Sequence, residues 1–171
     1  MEVKIGQMDD RITRIKNEAD GFRYVYNKIN NMLIGDFFGE KKVKIAKEID
    51  LVNPGISNGC FACELYLKIL LMQQKKNTKK IHNLKKLFNS INGKTQNQLI
   101  KKFTDNGYTK ELFDKKLKYI ANGFEISRYD FENDYTYYML SGFIYEFIEA
   151  LKETVEELNK KIEEKKWECV K

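Results

Sequence analysis

One stretch limits what this chain can fold into more than any other: Ser57 to Gln74, SNGCFACELYLKILLMQQ. Phe61, Leu65, Lys68 and Met72 fall on one helical stripe, and Ala62, Leu65, Ile69 and Met72 on its neighbour. Apolar residues therefore surround most of the helix, which is the pattern of a buried helix. The stretch is barely long enough to span a bilayer, and Glu64 and Lys68 sit at its middle, so it reads as a core helix. Glu64 precedes Lys68 by four residues, the favourable order for a helical ion pair, and burial of either charge alone would be costly.

The rest of the chain has helical spacing as well. With 171 residues and one proline, it reads as a single all-α domain over 1–171, an up-and-down helical bundle of two long helices and several short ones. A first helix is expected from Asp9 to Leu33, with Ile12, Ile15, Ala19, Phe22, Tyr26, Ile29 and Leu33 inward, then a break at Gly35 to Gly39. A short helix is expected over Glu40 to Ile49 and a turn at Asn53-Pro54-Gly55, with Ser57 or Asn58 capping the central helix. Further helices are expected over His82 to Ile91, Gln96 to Thr104 (with Thr95 as cap) and Thr109 to Asn122, the last with Leu112, Phe113, Leu117 and Ile120 inward. Phe124 to Asn133 reads as irregular. A long last helix, Asp134 to Lys165, carries a near-heptad stripe from Leu140 and Phe143 to Ile162.

His82 is the only histidine, and imidazole suits general acid–base work at neutral pH; the alternative is that it caps or orients the short helix after the basic loop, its ring bonded to Glu64 or a backbone carbonyl. Glu64, Lys68, His82, Arg128 and Glu132, with Tyr129 nearby, are expected to form a buried polar network; its bland reading is a device that pins a loop to the core. Lys75, Lys76, Lys79, Lys80, Lys85 and Lys86 surround His82, and Lys101, Lys102, Lys115, Lys116 and Lys118 continue the positive bias. Phosphate contact is one reading of these lysines and a solvated face the other. The net charge of +6 fits a polyanionic partner such as RNA. Tyr135, Tyr137, Tyr138, Phe143, Tyr145 and Phe147 crowd the start of the last helix; such aromatics can stack on bases, but at helical spacing they more often belong to the core or a helix-to-helix interface, and a dimer contact is the preferred reading here.

Cys60 and Cys63 have a C-x-x-C spacing, but no second pair completes a zinc site and no strand precedes them, so both read as core residues. No phosphate-cradling glycine loop or serine-hydrolase motif is present. No metal and no cofactor is expected. Three cysteines at uneven spacing, with no signal peptide, suggest a cytoplasmic protein without a membrane partner.

Three segments in order, Ala62-Cys63-Glu64-Leu65-Tyr66-Leu67-Lys68, His82-Asn83-Leu84-Lys85-Lys86-Leu87 and Arg128-Tyr129-Asp130-Phe131-Glu132, resemble a HEPN domain (higher eukaryotes and prokaryotes nucleotide-binding). The resemblance spans roughly Asn53 to the end of the chain, with the recognisable motifs within 53–151. It implies a helical bundle that often forms a homodimer, and an RNA, nucleotide or protein partner in a stress or phage-defence (toxin–antitoxin-like) system. Ribonuclease members place four to six residues between an arginine and a following histidine. Here the arginines are Arg11, Arg14, Arg23 and Arg128, and the corresponding positions before His82 hold Lys75, Lys76 and Asn77. Lysine stabilises phosphate charge without the bidentate fork of arginine. The expectation is therefore binding without catalysis. The alternatives are a metal-independent endoribonuclease using His82 with nearby Lys or Arg, and a purely structural interaction module.

Overall fold

A computed structural model describes residues 3–38, 52–78, 81–123 and 134–168, with side chains over 10–32, 53–78, 81–123 and 141–164. These residues form six helices and no strand: α1 (Val3–Phe38), α2 (Val52–Gln73), α3 (Leu84–Ser90), α4 (Gly93–Thr104), α5 (Lys110–Tyr119) and α6 (Asp134–Glu168). Helix α2 is the hub and packs on α1, α6 and α3. Its Ala62, Cys63, Tyr66, Leu67, Ile69, Leu70 and Leu71 are wholly buried. Each large apolar side chain among them contributes about 1.5–3 kcal/mol on burial. This helix alone among those described is long and apolar enough to cross a bilayer, and 67% of that window is buried within the fold.

The crossing of α1, α2 and α6 is tight at Gly59. A Cβ there would lie 2.6 Å from Ile144 Cγ2 and 2.8 Å from Tyr26 Cδ2, so only glycine lets the three helices approach this closely. Tyr26 closes the contact by donating its hydroxyl proton to the Ser141 carbonyl at 2.6 Å. At the other side of the bundle, Phe88, Phe103, Phe113, Phe143 and Phe147 from α3 to α6 form one aromatic cluster with ring centroids 4.9–6.3 Å apart.

Several element boundaries differ from the sequence expectation. Helix α1 continues through Gly35 to Phe38, because one glycine costs a helix only about 1 kcal/mol, less than a long packed helix recovers. Helix α2 begins before the expected Asn53-Pro54-Gly55 turn and includes it. Proline is tolerated in a first turn, where its missing N–H has no acceptor to lose. Asn58 therefore caps nothing; its amide donates to the Pro54 carbonyl at 2.6 Å. Asn83, not His82, caps α3, and Asn92, not Thr95, caps α4: their side-chain oxygens accept from the N–H of Lys86 and of Thr95. Thr109 caps α5 as expected. Leu112, expected inward, is 40% exposed. Phe143 and Phe147 are interior, which removes them from any dimer contact, whereas Tyr145 stays exposed. The expected helix at Glu40–Ile49 and the irregular stretch at Phe124–Asn133 lie outside the described residues.

Candidate functional site

Glu64 projects from the hub helix toward the loop that follows it. Its side chain is only 4% exposed, yet its Oε1 accepts from Lys68 Nζ at 2.6 Å and lies 3.0 Å from His82 Nδ1. The i, i+4 spacing on one helix sets the first contact. The second depends on how the loop returns. Helix α2 ends in a Schellman turn, with the Lys76 N–H bonded to the Leu71 carbonyl, the Lys75 N–H to the Met72 carbonyl, and Lys75 at φ 57. Lys76 Nζ then donates to the Ser90 carbonyl at 2.5 Å, and Gln74 holds the N–H of Asn92 at 2.8 Å. The far side of the loop is fixed to the end of α5. There Leu84 N–H donates to the Ala121 carbonyl at 2.9 Å, and Asn83 Nδ2 to Asn122 Oδ1 at 2.6 Å.

The outcome is an asymmetric pair. The carboxylate is interior, while the imidazole side chain is 64% exposed. A carboxylate paired with an ammonium only accepts, so the imidazole proton sits on Nδ1 and the Nε2 lone pair is left for solvent or a ligand. This arrangement can accept a proton or a hydrogen bond at a fixed position on the surface.

The expected site residues divide into three groups. Glu64, Lys68 and His82 come together. Arg128, Tyr129 and Glu132, with Lys79 and Lys80, lie outside the described residues. The remaining lysines are unequal: Lys76 closes the α3 C-terminus, and Lys85 pairs with Asp114 at 2.6 Å, whereas Lys75 and Lys86 are exposed. Lys118 is exposed on α5 one turn after Asp114 and one turn before Asn122, the two residues that reach α3, so it borders the same loop. Lys102, by contrast, is tied to Glu153 and Glu157 of α6, and Lys116 lies over the Tyr108 and Phe143 rings.

Cys60 and Cys63 are buried and free. Burial, then the nearby Glu64 charge, pushes the Cys60 thiol up to about 12; burial raises Cys63 well above the usual range. Neither offers a thiolate. Among the described residues no group of three or more His, Cys, Asp or Glu side chains could hold a metal ion.

A second polar cluster was not anticipated from the sequence. Tyr66 of α2 donates its hydroxyl proton to Asp20 Oδ1 in a short bond, and Asp20 Oδ2 accepts from Lys16 at 2.7 Å. Arg23 meets Glu149 of α6 through two bonds, 2.5 and 2.8 Å. Burial works against the Asp20 charge, but the bonds from Lys16 and Tyr66 outweigh it and hold the carboxyl below its usual value. Burial and the Asp20 acceptor together raise the Tyr66 hydroxyl far above its own. The signal was present in α1, where Lys16, Asp20 and Arg23 form a polar stripe beside the buried Ala19 and Tyr26.

A helical bundle with a loop-borne histidine backed by a helix glutamate defines a class of small helical domains. The comparison with known families gives the class its name: the HEPN domain matches over residues 41–165, and the chain belongs to that family. No curated protein and no solved structure matches it.

Proposed function

We infer that this protein binds RNA through the face centred on His82. The observation that carries the reading is the exposed imidazole fixed by the buried Glu64 at 3.0 Å. A ring so held loses little side-chain freedom on contact with a ligand, and exposed Lys86, in the first turn of α3, and Lys118 offer phosphate contacts on the same side. Family membership supports a nucleotide- or RNA-related role. The reading favours binding over cleavage because Lys68, the cation defined against Glu64, is already held by that carboxylate.

The second reading is a metal-independent endoribonuclease, and the outward Nε2 favours it. That atom would take the proton of a ribose 2′-hydroxyl as its oxygen attacks the adjacent phosphorus; the bond from phosphorus to the 5′-oxygen then breaks, leaving a 2′,3′-cyclic phosphate, and the departing 5′-oxygen takes a proton from water, with lysine charge against the phosphate oxygens. One experiment separates the two. Short single-stranded RNA is titrated with wild type and His82→Gln at several salt concentrations, and the same samples are run on a gel. Intact RNA with salt-sensitive binding, weakened by His82→Gln or by Lys86→Glu, supports the first reading. Cleavage lost in His82→Gln establishes the second. Absence of both binding and cleavage overturns the site.

A further inference from the structure

Positive charge is concentrated in one part of this chain. Residues 75–118 hold thirteen lysines against three acids, Asp105, Glu111 and Asp114, a net +10 in a chain whose total is +6, so the rest is net −4. Within that segment the lysines are used unequally. Lys85 pairs with Asp114, Lys102 with Glu153 and Glu157, and Lys116 lies over two aromatic rings. Lys115 and Lys118 are exposed on the outer ridge of α5 and make no ion pair among the described residues. Tyr119 stands on the same ridge, next to Lys118 and one turn after Lys115, and is 57% exposed. The opposite side of α5, with Phe113, Leu117 and Ile120, is buried. Two other exposed tyrosines have different settings. Lys28 Nζ lies 5.4 Å above the Tyr24 ring, and Tyr145 belongs to α6, where nine acids outnumber five lysines and Glu149 follows one turn on. The α5 ridge also runs into the His82 loop: Asn122, one turn past Lys118, accepts from Asn83 at 2.6 Å, and Asn83 follows His82.

We propose that Tyr119 is a stacking platform for one unpaired base of a single-stranded RNA whose backbone crosses from His82 to Lys118 and Lys115. This rests on the RNA reading of the His82 face and adds to it a strand type and a base contact. A phenol ring offers its π-face to any base, so the contact is tolerant of sequence. A base stacked inside a duplex has no open face to give, so the contact selects single strands. Lys115 and Lys118 flank the ring and meet the adjoining phosphates. Glu111, the acid of this ridge, lies two turns before Tyr119 at the other end of α5. One exposed tyrosine is ordinary on a protein surface. Tyr119 is set apart by its place among unpaired lysines, on a ridge continuous with a fixed imidazole.

The test titrates the full chain with a short unstructured RNA of mixed sequence and with the same strand annealed to its complement. Tyr119→Ala is expected to weaken single-strand binding about tenfold, Tyr119→Phe to keep wild-type affinity, and neither to change duplex binding. The salt dependence of single-strand binding keeps its slope in Tyr119→Ala and flattens in Lys118→Glu, since only the lysine releases counterions. All three variants melt like wild type in circular dichroism because both side chains are exposed. Tyr119→Trp gives a second readout: the single strand quenches the added indole, and unchanged emission overturns the proposal. Binding that His82→Gln weakens and Tyr119→Ala leaves intact overturns the stacking contact and spares the His82 reading. An equal loss toward duplex, or a Tyr119→Phe variant as weak as Tyr119→Ala, overturns it too. Wild type that binds no RNA overturns both readings.

Discussion

Two polar clusters leave helix α2 in opposite directions from residues only two apart. Glu64 and Tyr66 are separated by about 200° around the helix. Tyr66 points into the junction with α1 and α6 and meets Asp20, with Lys16, Arg23 and Glu149 completing the cluster. Every one of those groups has a partner inside the fold. Glu64 points toward the loop and ends at His82, whose ring stands in solvent. The first cluster ties three long helices together. The second spends a buried carboxylate on fixing one surface group, a poor use of burial for stability alone. The difference marks the His82 end as the place to look for function.

Breaking the closed cluster should have the largest effect. Arg23→Ala leaves Glu149 half-buried without its fork, and we expect a loss of about 2 kcal/mol in urea unfolding, discounted for the partial exposure of both groups. Tyr66→Phe should cost about 1.5 kcal/mol, since Asp20 loses a buried donor. This variant also has a pH signature. Asp20 titrates lower folded than unfolded, so its contribution is complete above about pH 4 and is lost as pH falls through the folded value. The Tyr66 hydroxyl is raised, so its contribution is complete below about pH 10 and is lost above. Tyr66→Phe should flatten the alkaline loss, and Asp20→Asn the acid one, in stability measured against pH.

The open side should respond in the opposite sense. Lys75 adopts the left-handed conformation at the end of α2, and Lys75→Gly should raise stability by about 1 kcal/mol. His82→Gln should change stability by less than about 0.5 kcal/mol, because the ring is mostly exposed, while weakening RNA binding. A large loss of stability in His82→Gln would erase the contrast and return His82 to a structural role.

Much of this contrast is visible in the residue pattern. The apolar stripes of 57–74 identify the hub helix, and the Glu64–Lys68 spacing predicts the pair found. His82 beside Glu64 follows from the return of a loop, and no local periodicity reports that. The bland alternative of a ring bonded to Glu64 and the functional alternative share the same contact; exposure, which the sequence does not encode, tells them apart. The closed cluster is harder to read, because Lys16, Asp20 and Arg23 look like an ordinary solvated face until α6 supplies Glu149. Helix ends were misplaced where proline or glycine entered a first turn or a long helix, as at Pro54 and Gly35, since tertiary packing overrode propensity.

The most direct test uses the fact that the chain has one histidine. A long-range proton–nitrogen NMR spectrum of the folded protein, above the pH where the ring is protonated, reports which ring nitrogen carries the hydrogen. The account predicts hydrogen on Nδ1 in wild type, bonded to Glu64, and a return toward the Nε2–H tautomer of free imidazole in Glu64→Gln. Hydrogen on Nε2 in the wild-type protein would contradict it, since Nε2 would no longer face a ligand as an acceptor.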